Sequence, residues 1–122
     1  MNLLDTNYIL RFLLRDNEEM FETASEVIKN EQCFVLEGVL AEVVYVLNGV
    51  YKIPRNIISE TLTRFITLDN IFTNEPESVF TDALQIYQSK SLDYVDCCIC
   101  ALKGRYEVKS FDKKLMRCVN LS

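Results

Sequence analysis

Residues 1–17 read MNLLDTNYILRFLLRDN. Leu3 and Leu4 form a short apolar run that stops on Asp5, and a second apolar stretch begins at Tyr8. The first run predicts a strand over residues 2–5. Tyr8, Ile9, Phe12 and Leu13 recur at helical spacing and predict a helix over 6–15. A strand that passes straight into a helix leaves Asp5 at the strand's carboxyl end. Either Asp5 or Thr6 caps the helix, or Asp5 serves chemistry at that edge; the expectation is that Thr6 caps and Asp5 is free.

The rest of the chain repeats the pattern. Asn17 is placed to cap a helix to about Asn30, and CFVL from Cys33 reads as a buried strand. A helix follows from Glu37 to about Val50. Pro54 opens one ending near Thr67, and NIFTN around Phe72 is a third strand. Pro76 opens a helix to Ser89, and Asp93 one to about Lys103. EVKSF, from Glu107, is a predicted strand, followed by a helical turn at Asp112 and a last strand at CVNL. Short apolar strands separated by helical crossovers predict an α/β domain with a central parallel sheet, in three layers, over residues 1–122. Sites in such sheets lie beyond the carboxyl ends of the strands.

Composition narrows the chemistry. The chain has 122 residues, 49% hydrophobic and 25% charged, with no histidine. That excludes Ser-His-Asp and Cys-His catalysis and histidine-ligated zinc. Five cysteines, three of them crowded at Cys97, Cys98 and Cys100, lack zinc or disulfide-framework spacing and are expected as buried free thiols. No apolar run approaches the roughly 20 residues that span a bilayer, and no secretory signal is evident. A soluble cytoplasmic protein is expected. Net charge is −5, yet residues 103–122 hold six basic side chains against two acids, so the first 102 residues carry −9. Such a local basic patch suits phosphates.

Asp112 directly follows the predicted EVKSF strand, the same position as Asp5, so two carboxylates fall at one end of the sheet. Glu42 lies in EGVLAEVVYVLNGV, beside the apolar stripe Leu36, Val39, Leu40, Val43, Val44 and Leu47. The other face, Gly38, Ala41, Tyr45 and Gly49, is also uncharged, so this helix is expected to be mostly buried and Glu42 to need a partner. Asp96 precedes the uncharged CCICAL. Asp93 and Asp96 lie three apart on one face; they suit either the cap and dipole of a helix N-terminus or a shared cation. Gathered carboxylates repel unless one protonates or a cation joins them, and oxygen ligands favour Mg²⁺ or Mn²⁺.

The stretches LLDTNYILRFLLRD, LAEVVYVLNGVYKIPRNII, LDYVDCCICAL and SFDKKL resemble, in order and across the whole chain, the four acidic motifs of PIN-domain ribonucleases, and among these the VapC-like toxins. The resemblance implies a three-layer PIN-like fold. It implies that Asp5, Glu42, Asp96 and Asp112 hold one or two Mg²⁺ or Mn²⁺ ions, with Asp93 accessory and Thr6, Asn7 and Ser110 supporting. It further implies metal-dependent hydrolysis of RNA, with Arg11, Lys109, Lys113 and Lys114 on flanking phosphates. A protein antitoxin and a homodimer are the expected partners. Tyr8, Phe12 and Phe21 are candidates for either contact, or simply for core.

Three other classes make different demands on the sequence. A catalytically inactive PIN-fold module that docks RNA or protein would show no metal-dependent cleavage. A HAD-type phosphohydrolase needs a second acid two residues after Asp5, where this chain has Asn7. A flavodoxin-like protein needs a glycine-rich phosphate loop, and Gly38, Gly49 and Gly104 do not supply one.

Overall fold

The computed structural model describes residues 1–121, with elements in the order β1 (Asn2–Leu3), α1 (Thr6–Leu14), α2 (Glu18–Asn30), β2 (Cys33–Val35), α3 (Glu37–Gly49), α4 (Arg55–Ile66), β3 (Ile71–Thr73), α5 (Glu77–Ser89), α6 (Tyr94–Ala101) and α7 (Lys113–Asn120). The strands form one parallel sheet in the order β1-β2-β3, with Asn2 opposite Cys33 and Cys33 opposite Ile71. The Leu4 amide donates to the Phe34 carbonyl at 3.1 Å and carries the first ladder up to Asp5. This is the α/β architecture expected, with more helix and less strand than the motif reading suggested.

Local chemistry explains most boundaries. Asn17 accepts from the Met20 amide at 3.0 Å, and Glu18 and Glu19 sit in the first turn of α2 where negative charge suits the helix dipole. Pro54 and Pro76 occupy the N-cap positions of α4 and α5, one residue before the first turn where Pro54 was expected. The core joins the sheet to the helices: Ile9, Ile28, Val35, Leu40, Ile58 and Leu84 are all fully buried in one cluster. Phe12 stacks on Phe21 at 6.0 Å and meets Phe65 at 6.2 Å, and both Phe12 and Phe21 remain half-buried, as does Tyr8. Arg15, in the left-handed conformation that ends α1, lies 4.3 Å over the Phe21 ring.

Several expectations are corrected. Residues 107–110 form no strand, although exposure alternates from Glu107 to Phe111 as a strand's would. The alternation is real, but no neighbouring strand supplies a ladder, and Phe111 stands fully exposed. CVNL is not a strand: Cys118 to Asn120 close α7, whose Leu115 and Cys118 are buried at the i, i+3 spacing of a helix. Cys100 and Cys118 are bonded as a disulfide with their Cα atoms 6.1 Å apart, because α6 and α7 pack together. Only Cys33, Cys97 and Cys98 remain free, and burial pushes Cys97 up to about 12 and Cys98 up to about 11. Finally, α3 is not buried all round. Leu40, Val43, Val44 and Leu47 are buried, but Leu36, Gly38, Glu42, Gly49 and Tyr45 are exposed, Tyr45 at 79%. A methyl group on Gly38 or Gly49 would meet nothing within 4 Å, so the uncharged face of α3 borders open space.

Candidate acidic site

That open space is a cleft of about 430 Å³ lined by Ala41, Tyr45, Asn48 and Gly49 of α3 together with Arg55, Asp93 and Asp96. The small residues that make the face look apolar in sequence are what leave room for the acids of α6. Arg55 anchors the far wall: Nη1 donates to the carbonyls of Leu92, Lys90 and Tyr87 at 2.6, 3.0 and 3.2 Å, and its guanidinium stacks 4.1 Å over the Tyr87 ring.

Each predicted acid has a distinct placement. Asp5 is the N-cap of α1: Oδ1 accepts from the Tyr8 amide at 2.8 Å. Thr6 therefore does not cap, contrary to expectation; the capping position belongs to the residue with extended backbone, and that is Asp5. Thr6 Oγ1 instead donates to Glu42 Oε1 at 3.2 Å, linking α1 to α3. Glu42 is exposed and finds its partner in a hydroxyl, not a cation. Asp112 is the N-cap of α7, its Oδ1 accepting from the Leu115 amide at 2.9 Å, while its own amide donates to Ser110 Oγ at 3.0 Å. Asp93 holds the N-cap position of α6 but makes no side-chain cap bond, so its carboxylate is uncommitted.

The four acid-bearing helices pack in succession, α1 on α3, α3 on α6 and α6 on α7. The ties run in two groups: Asp5 to Glu42 through Thr6, and Asp96 to Asp112 and Asp93 through their charges. Among the described residues no three of these side chains converge closely enough to hold one metal ion. The donor set nevertheless fits a hard cation. Every candidate ligand is a carboxylate, and none of Asp5, Glu42, Asp93, Asp96 or Asp112 is neutralised by an ion pair among the described residues, where five of the eighteen acids are.

Asp96 records the resulting tension. Burial first, then Asp112, then Asp93 push its carboxyl above the ordinary carboxylate range. The folded chain thus keeps this proton at pH values where the unfolded chain has released it. Its contribution to stability is greatest at acid pH and declines as pH rises through the raised value. Asp96→Asn is therefore expected to raise the melting temperature near neutral pH in EDTA, with the gain shrinking as pH falls and vanishing below about pH 3, where the unfolded carboxyl is neutral too. Thermal unfolding across that range checks this; a variant no more stable than the parent at neutral pH would show that Asp96 is not under repulsion.

The supporting and basic residues divide. Asn7 is exposed and lines a second cleft, of about 300 Å³, with Asp5, Tyr8 and Arg11. Arg11 does not reach out: it pairs with Asp16 at 2.6 Å and its side chain is 18% exposed, because the left-handed turn at Arg15 folds Asp16 back along α1. Lys109 pairs with Glu107 at 3.0 Å in an exposed contact, while Lys113 and Lys114 are exposed and unpaired among the described residues. Sequence reasoning passed over Glu37, which follows β2 by two residues as Asp5 follows β1. Its amide donates to Asn74 Oδ1 at 2.9 Å, and its charge adds to burial in raising Tyr94 and Cys98. Parallel strands end at one edge, so the argument applied to Asp5 would have found it.

Comparison with known proteins gives the chain's family. The family model described as PIN domain matches residues 3–117. A curated "VapC ribonuclease" of Aquifex aeolicus (strain VF5) is 32% identical over 126 residues, covering 96% of this chain and 91% of that protein. No solved structure matches the chain significantly.

Proposed function

The chain belongs to the PIN domain family, and on that premise we propose that it is a metal-dependent endoribonuclease, the toxin of a toxin–antitoxin pair acting in the cytoplasm. The observation that carries the reading is that four successively packed helices bear Asp5, Glu42, Asp93, Asp96 and Asp112, none of them held by a cationic side chain among the described residues. A Mg²⁺ or Mn²⁺ ion would have to draw Asp5, Glu42 and Asp96 closer together than they stand, with Asp112 completing or orienting the set and Asp93 accessory. A hard cation held there supplies Lewis acidity toward a phosphate oxygen and a water of lowered pKa.

The chain's own residues supply position. The caps at Tyr8 and Leu115 fix one oxygen of Asp5 and of Asp112, which leaves the other oxygen of each for a ligand. Thr6 orients Glu42, and Ser110 holds the backbone at Asp112. Lys113 and Lys114, at the start of α7 beside Asp112, and Lys109 before it, would hold flanking phosphates of the RNA. Arg11 would serve only if released from Asp16. A basic side chain of an antitoxin entering among the unpaired acids would silence the site by taking the cation's place. A disulfide such as Cys100–Cys118 is uncommon in a reducing compartment, so in the cytoplasm the pair would be held largely as thiols.

The test is incubation of total cell RNA with purified protein in Mg²⁺, in Mn²⁺ and in EDTA. Discrete fragments that appear only with metal are expected. Cleavage undiminished by EDTA would remove the metal from the mechanism, and no cleavage under any condition would leave a PIN-fold binding module.

A further inference from the structure

The thirteen Lys and Arg side chains divide by what they touch. Five pair with carboxylates. Arg55 and Lys103 hold backbone carbonyls. Six do neither among the described residues: Lys29, Lys52, Lys90, Lys113, Lys114 and Arg117. Four of those six line a single groove of about 770 Å³ between the α5–α6 connection and α7. All four are exposed, and no acid lines the groove. Like charges facing one cavity on a chain of net charge −5 repel unless an anion joins them.

The groove has a direction. Lys113 follows Asp112 immediately and Lys114 comes next; Arg117 lies one turn further along α7. Lys90 faces them from the end of α5, and Ser91 and Leu92 lead from it to Asp93. The walls therefore begin at two acids of the candidate site and run away from it. A polyanion whose one phosphate sits among the carboxylates would find its next phosphates held by these ammonium and guanidinium groups. A folded acidic protein would have no comparable reason to start at Asp112.

We propose that this groove carries the backbone of a single RNA strand on one side of the cut, with Lys113 and Lys114 as the near contacts and Lys90 and Arg117 as the far ones. The proposal rests on the reading of the chain as a ribonuclease and adds the strand's path to it. Contacts of this kind are made to phosphate, so the path is independent of base sequence.

Binding to a labelled mixed-sequence RNA of about twelve nucleotides tests it. The strand is kept uncut by Asp96→Asn, in Mg²⁺, with and without Lys90→Ala plus Arg117→Ala. Four phosphate contacts give a slope of log K against log salt near −3, and losing two should halve it and weaken binding about fifty-fold at 50 mM salt. An unchanged affinity and slope overturn the proposal, as does a loss seen equally with polyglutamate, which would give the groove to an acidic protein partner. Cleavage of total RNA by the unmutated chain is scored in parallel. Cleavage with groove-independent binding sinks the groove alone. Groove-dependent binding without cleavage sinks the ribonuclease alone. Neither cleavage nor binding sinks both.

Discussion

Asp5→Asn and Asp112→Asn are each expected to lower RNA cleavage by about a thousandfold, the equivalent of about 4 kcal/mol of lost transition-state stabilisation, without lowering the melting temperature, which Asp112→Asn raises slightly by relieving Asp96. The separation is possible because the cap uses one oxygen of each acid and the proposed metal contact would use the other. Oδ1 of Asp5 caps α1 at the Tyr8 amide, and Oδ1 of Asp112 caps α7 at the Leu115 amide. Asparagine is as good a cap as aspartate, so the helix starts survive and only the charge is lost. Alanine removes both, at a cost of about 1 kcal/mol for the cap, which corresponds to roughly 4 °C in a domain of this size. Cleavage rates and thermal unfolding of the four variants distinguish the roles. An asparagine variant that keeps a tenth of the activity, or that melts as low as its alanine counterpart, would reduce the acid to a structural cap.

The cap at Asp5 also shows what the sequence could and could not disclose. An apolar pair ending on an acid, followed by amphipathic spacing, is a local pattern, and its strand, cap and helix formed where expected; only the choice between Asp5 and Thr6 failed, because backbone conformation decides it. Asn17 succeeded for the same local reason. Tertiary facts were out of reach. Nothing local says that Cys100 and Cys118, eighteen residues apart, meet across α6 and α7. The alternation over residues 107–111 is that of a strand, but a strand needs a partner and that partner is not in the pattern. The uncharged face of α3 misled in a more useful way. Ala41 and Gly49 were read as burial, yet small side chains also make clefts, and Asp93 and Asp96 line the one opened here. The resemblance put Arg11 on a phosphate, but Asp16, five residues away and beyond helical pairing distance, is brought back to it by the turn at Arg15.

The wall of that cleft depends on one side chain outside the acidic set. Arg55→Ala is expected to destabilise the fold by about 3 kcal/mol, a fall of roughly 10 °C in melting temperature. The guanidinium satisfies carbonyls at Tyr87, in the last turn of α5, and at Lys90 and Leu92 in the connection to α6. A helix leaves its final carbonyls without partners, and a cation there answers both the missing donors and the dipole. Its plane also covers the Tyr87 ring at 4.1 Å. Lysine at this position keeps charge and donors but loses the planar stack, so Arg55→Lys should recover most of the stability and fall short by about 1 kcal/mol. Denaturant unfolding at unchanged slope measures both variants. Leu92 directly precedes Asp93, so loosening this connection also displaces the start of α6. Cleavage by Arg55→Ala, assayed well below its melting temperature, should drop about tenfold through misplacement of Asp93 and Asp96, and Arg55→Lys should restore it. An alanine variant as stable as the parent would mean that water satisfies the three carbonyls; a stable fold with reduced cleavage would instead move Arg55 into contact with the RNA.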